Sequence, residues 1–225
     1  MTNPTHHPAR EILLDYADGS LGEPAALVIA THLAFCPGCR QQVADLEAIG
    51  GAFLEEEELH PVSDGCLKAL MSRLDEPAAA VSRPPPCSAL PPVPTADLIY
   101  LPEPLRSYLG APLAALRWLP LMSGIEEVDL KVGRPPVRTR LLRVAAGRAM
   151  PRHSHTGTEL NLVLAGGYHD PRGSFRRGDV VVDDPSVDHS PIADDGEDCV
   201  CLSVTDAPLR LTGGLARFLN PFIRL

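Results

Sequence analysis

Apolar positions follow two different periods along the chain. Up to about residue 76 they recur every three to four residues, the spacing of amphipathic helices, and beyond about residue 105 they alternate in short runs, the spacing of half-buried strands. Ile12, Leu13 and Tyr16 mark a short helix over Glu11–Ala17, which Asp18-Gly19 stops. Glu23–Ala34 restarts with strong helix formers. Pro37 cannot continue that helix, but it suits the first turn of another, so the spacing predicts a break at Cys36-Pro37 and a further helix from Gly38 to about Glu58. Asp64 can cap a fourth helix through Leu74, where Leu67, Leu70, Met71 and Leu74 form one apolar stripe, to be buried in a core or laid against a partner.

Between the two regimes, Pro77 to Pro104 carries nine prolines and few charges, a composition that neither a helix nor a central strand tolerates. It reads as a semi-rigid linker. Past it, Val137–Ala145, Glu159–Leu164, Asp179–Asp183, Val200–Thr205 and Leu209–Thr212 read as strands separated by Gly, Pro and Asp. The expected architecture is therefore α+β and multidomain: a small helical domain over 1–76, a linker over 77–104 and an all-β barrel or sandwich over 105–225.

A formal net charge of -9 argues against direct contact with nucleic acid, whose affinity comes mainly from Lys and Arg on phosphates. No window supplies the roughly 18 apolar residues of a membrane span, and the N-terminus lacks the layout of a signal peptide, so a cytoplasmic chain is expected. In that compartment the six cysteines are reduced thiols or ligands rather than a disulfide framework. Cys199 and Cys201 alternate on a strand and read as small core residues, whereas Cys66 and Cys87 show no pairing pattern.

Two clusters carry chemistry. In the first, His32 and Cys36 lie one helical turn apart, and Cys39 returns toward them across Pro37-Gly38. Tetrahedral zinc needs one more donor, which His6 or His7 could give. Redox exchange at Cys-Pro-Gly-Cys is the competing chemistry, but it belongs beside a strand in a βαβ unit, and these surroundings are helical. In the second cluster, Gly147, His153, His155, Glu159 and Gly166 follow one another on a strand-turn-strand unit. His153 and His155 share a face through the period of two. After a turn at Thr156–Thr158, Glu159, Asn161 and Val163 share one face and Leu160, Leu162 and Leu164 the other. His189, beyond a second strand, is the fourth donor; zinc, iron, manganese or copper would suit such a set. His169, in what reads as a Gly167–Asp170 turn, is expected at the surface.

The Gly147 to Gly166 spacing resembles the first motif of the cupin superfamily, whose fold is a double-stranded β-helix barrel. The second cupin motif is met by Gly178, Pro185 and His189, but Ser186-Val187-Asp188 lacks its usual glycine. Joined to the His-x(3)-Cys-x-x-Cys helical unit, the whole chain resembles the ChrR-type anti-sigma factors, down to the His6-His7 start and the Thr205–Arg210 run. That resemblance implies two zinc sites, one held by His7, His32, Cys36 and Cys39 and one by His153, His155, Glu159 and His189. It also implies a group IV (extracytoplasmic-function) sigma factor as partner in a 1:1 heterodimer, with release triggered by singlet oxygen or organic peroxide through the cupin domain. Leu67, Leu70, Met71 and Leu74 would then meet the sigma factor. The rival reading is a cupin metalloenzyme, a dioxygenase or isomerase, although such an enzyme has no need of the N-terminal cluster.

Overall fold

The computed structural model describes residues 3–63, 65–74 and 101–214. Asp64 and residues 77–100 of the expected linker, with Cys87, lie outside the described residues. Four helices stand where the periodicity places them: α1 (Arg10–Ala17), α2 (Glu23–Phe35), α3 (Pro37–Glu56) and α4 (Cys66–Leu74). The α2–α3 break is a single residue. Cys36 is extended at φ -110°, ψ 101°, and its Sγ accepts the Cys39 N–H, so one residue ends α2 and caps α3. The helical core is small: Leu13, Ile29 and Val43 pack with the two thiols themselves.

A fifth helix, α5 (Glu103–Leu109), begins inside the stretch assigned to the linker. Pro104 falls in its first turn, where the missing N–H costs nothing, and Leu101 and Leu105 are fully buried. Burial of those two leucines outweighs the proline content of the segment.

The remainder is antiparallel β-structure with twelve strands among the described residues: β1 (Leu119–Met122), β2 (Ile125–Leu130), β3 (Arg138–Val144), β4 (His153–His155), β5 (Glu159–Ala165), β6 (Gly167–Asp170), β7 (Gly173–Arg176), β8 (Val180–Asp183), β9 (Asp188–His189), β10 (Ile192–Ala193), β11 (Cys199–Thr205) and β12 (Leu209–Leu211). They form one six-stranded sheet, β1-β2-β3-β11-β5-β8, and two three-stranded sheets, β10-β6-β7 and β12-β4-β9. The five strands expected from the sequence are present. Gly167–Asp170 is a strand rather than a turn, because Tyr168 buries against Phe175 across the β6–β7 hairpin.

The large sheet has two buried faces. On one, Leu160, Leu162 and Leu164 of β5 and Val200, Leu202 and Val204 of β11 share a core with Leu27 and Val28 of α2 and with Leu101 and Leu105. On the other, Val163, Val181, Cys199 and Cys201 pack with Tyr168 and Phe175 of the small sheet. Alternation along β11, and along β5 up to Leu164, thus divides their side chains between the helices and the barrel interior; the register shift at Val200 then turns Ala165 to the helix side. Helical unit and barrel meet through a continuous apolar core, a contact that two units on a linker do not require.

Candidate metal centres

In the helical unit, His7, His32, Cys36 and Cys39 each offer a donor atom within 4.8 Å of the others. His7 Nδ1 lies 3.4 Å from Cys36 Sγ and 3.5 Å from Cys39 Sγ. Its neighbour His6 turns away to the Asp179 carboxylate, at 3.2 Å. His32 is fully buried, and its Nδ1 sits 2.7 Å from the carbonyl oxygen of Gly178. A carbonyl only accepts, so Nδ1 carries the proton, and Nε2 presents a lone pair. Among the described residues that Nε2 has no hydrogen-bond partner. Burial, and then the adjacent Cys36 thiol, push the Cys39 thiol up to about 12. A buried imidazole lone pair without a donor among the described residues, beside the Cys36 sulfur and a Cys39 thiol that burial keeps protonated, is a donor set that fits a soft or borderline cation, which would deprotonate the sulfurs outright.

The barrel cluster is built across three strands. His153 on β4 pairs directly with His189 on β9, and His155 pairs with Leu209 on β12. His189 Nε2 lies 3.2 Å from His153 Nε2 and 3.4 Å from His155 Nε2. Two tautomers follow from the outer contacts. His153 Nδ1–H donates to the Pro151 carbonyl at 2.7 Å, and His189 Nδ1–H donates to Asp170 Oδ2 at 2.8 Å. Both Nε2 atoms therefore aim lone pairs at each other, an arrangement that a shared cation relieves. Burial lowers the proton affinity of His153 and His155, which keeps them neutral and ready to ligate.

Glu159 stands on the far side of His155, its Oε2 3.4 Å from Nδ1, and groups with His155 and Asp183 rather than with His153 and His189. Ser203 Oγ donates to its Oε1 at 2.6 Å, and the buried Arg140 guanidinium comes within 4.0 Å. Asp183 is fully buried, with Oδ1 2.5 Å from Arg172 Nη1 and Oδ2 without a hydrogen-bond partner among the described residues. Arg172 also grips Asp170, Nη2 to Oδ2 at 2.6 Å. Burial acts to raise the Asp170 carboxyl, but the Arg172 and His189 hydrogen bonds prevail and hold it below the usual carboxylate range.

Each expected donor is thus placed: His7 with His32, Cys36 and Cys39, and the three barrel histidines together with Glu159 one step removed. Sequence reasoning missed Asp170, Arg172 and Asp183. For Asp183 a signal existed, since it has the parity of Val181, which points inward. Asp170 and Arg172 act from a hairpin whose return to His189 no local spacing reveals. His169 is exposed and bonded to Asp194 at 2.9 Å, away from the cluster. The stripe Leu67, Leu70, Met71 and Leu74 is 69%, 56%, 54% and 69% exposed, so it is not core.

Comparison with known proteins agrees with this division. A zinc-finger family profile matches residues 7–40, which hold all four residues of the helical cluster, and with that donor set it points to zinc there. The profile of the ChrR cupin-like domain matches residues 109–208. The anti-sigma-E factor ChrR of Cereibacter sphaeroides is 38% identical over 220 residues, 98% of each chain. The crystal structure of Rhodobacter sphaeroides SigE in complex with the anti-sigma ChrR matches at TM-score 0.74 and 36% identity, covering 89% of this chain and 98% of that one. The chain belongs to the family of the anti-sigma factor ChrR.

Proposed function

We propose that this protein is an anti-sigma factor that holds a group IV sigma factor in a 1:1 complex and keeps it from core RNA polymerase. The 38% identity to ChrR over 98% of the chain carries this reading. The exposed apolar surface supports it: α4 presents Leu67, Leu70, Met71 and Leu74, and the end of α3 adds Ile49, Phe53 and Leu54. Helices that leave such a surface uncovered are suited to lie in a groove of another protein.

His7, His32, Cys36 and Cys39 hold a structural zinc in this reading, closed by four protein donors. His153, His155, Glu159 and His189 hold a second, with Asp183 beside Glu159. The barrel zinc serves a sensory role, through which singlet oxygen or an organic peroxide releases the sigma factor. Next to the barrel cluster is a cavity of about 60 Å³ lined by Leu142, Val144, Met150, Cys199 and Cys201 as well as His153 and His189.

Co-expression with group IV sigma factors tests the proposal. A 1:1 complex with about two zinc ions per anti-sigma chain is expected, and Cys39→Ser should lose both its zinc and its partner. His155→Ala should keep the partner and blunt release by oxidant. A Cys39→Ser chain that is zinc-free at the helical cluster yet captures sigma at wild-type affinity refutes the structural role.

A further inference from the structure

The carbonyl that orients His32 belongs to the barrel. Gly178 lies in the turn between β7 and β8, 146 residues along the chain from the histidine it binds. The next residue, Asp179, is buried, and its carboxylate receives the backbone N–H groups of Thr5 at 2.6 Å and His6 at 3.0 Å, besides that of Arg176 at 2.8 Å in its own turn. His6 Nδ1 reaches the same carboxylate, and its ring lies against Phe175 with centroids 4.7 Å apart. One residue further, Val180 N–H donates to the carbonyl of His6 at 3.1 Å. The segment carrying His7 is therefore pinned along the start of β8, with His7 directed at the thiols. Gly178 has φ +91°, and a Cβ there would stand 2.8 Å from Pro4 Cγ and 3.2 Å from Phe35 Cβ, both atoms of the helical unit. The turn comes this close to the Pro4 and Phe35 side chains because the residue is glycine.

We propose that the barrel turn Gly178–Val180 is the outer shell of the helical zinc site, so that the rate at which this site gives up its metal is set by docking of the barrel. Two of the four donors, His7 and His32, depend on it: one through the pinned segment, the other through the carbonyl that selects its tautomer. Removal of outer-shell partners costs about 10–100-fold in metal affinity. Asp179 and His6 are positioning residues here, since neither belongs to the converging donor set. The inference rests on the reading of the Cys/His cluster as a zinc site.

Cobalt(II) substitution of the full chain separates the two ideas. Thiolate-bound cobalt gives a near-ultraviolet charge-transfer band, which reports the helical site because the barrel donor set holds only nitrogen and oxygen. With excess EDTA, decay of that band in His6→Ala and Asp179→Ala should be about 10–100-fold faster than in wild type. Asp179→Asn keeps an oxygen for the Thr5 and His6 N–H groups and should recover most of the retention. Gly178→Ala should release cobalt fastest, and if it fails to fold the His6 and Asp179 variants decide the matter. Trp118 fluorescence, from the single tryptophan and within the β-domain, checks that the barrel stays folded. Wild-type release rates in His6→Ala and both Asp179 variants overturn the proposal. Absence of the band in wild type overturns instead the zinc reading on which it stands.

Discussion

Leu27→Ala is a direct probe of the shared core. Leu27 is 4% exposed on α2, and the core it joins contains Leu160, Leu162 and Leu202 of the barrel as well as Leu101 and Leu105. Truncating a buried leucine to alanine costs about 2–5 kcal/mol, the transfer term plus the cavity left behind. For a chain of this size each kcal/mol shifts the melting temperature by about 2–4 °C, so a fall of roughly 4–20 °C is expected. Two probes watch the two halves: far-ultraviolet circular dichroism is dominated by the helices, and Trp118 reports the barrel. Trp118 packs against the same core with the Arg143 guanidinium 4.4 Å above its ring. If helices and barrel unfold as one body, both signals move together in the variant. Leu59→Ala, at a residue 98% exposed, should move neither by more than about 0.5 kcal/mol. The reasoning is refuted if Leu27→Ala melts the helical signal early while the Trp118 transition stays at its wild-type temperature.

Three further outcomes are expected. Asp170→Asn replaces the carboxylate that orients His189 and should weaken zinc at the barrel site by about 10–100-fold in chelator competition, with the cobalt charge-transfer band of the helical site unchanged. Leu70→Asp on the exposed face of α4 should abolish capture of the sigma factor while shifting stability by about 0.5 kcal/mol or less; undiminished capture would remove α4 from the interface. Without metal, His32, His153 and His155 are held below their ordinary value of 6.5, chiefly by burial. The unfolded chain then takes up protons first as pH falls through about 6.5, so stability is full above that value and declines below it. Melting in EDTA at pH 7.5, 6.5 and 5.5 should show this fall, and a flat profile would mean that these imidazoles are not buried as neutral groups.

What the sequence carried openly were features with a period or a fixed local spacing. The α2–α3 break followed from Pro37, and the division of β5 between Leu160, Leu162 and Leu164 on one face and Val163 on the other followed from alternation. The convergence of His153, His155 and His189 was anticipated from parity and loop placement. The short strands β1, β6, β7, β9 and β10 escaped notice because two to four residues give alternation no length in which to declare itself, and the six-residue β2 was missed as well. Helix α5 was obscured because proline content argues for a linker, while its burial depends on a sheet that only the fold supplies.

The outer shells were the least legible part, for a physical reason. A metal donor must be His, Cys, Asp or Glu at a spacing that its own strand or helix dictates, so local sequence constrains it. The groups that fix a donor's tautomer are drawn from whatever backbone or carboxylate the tertiary structure brings near. His32 is fixed by a glycine carbonyl, which any residue type could offer, and His189 by an aspartate on a hairpin nineteen residues upstream. Only Gly178 leaves a trace, because close approach to Pro4 and Phe35 excludes a side chain. A glycine that would be explained by its barrel turn alone is also the point at which the candidate metal cluster of the helical unit touches the domain that carries the other candidate cluster.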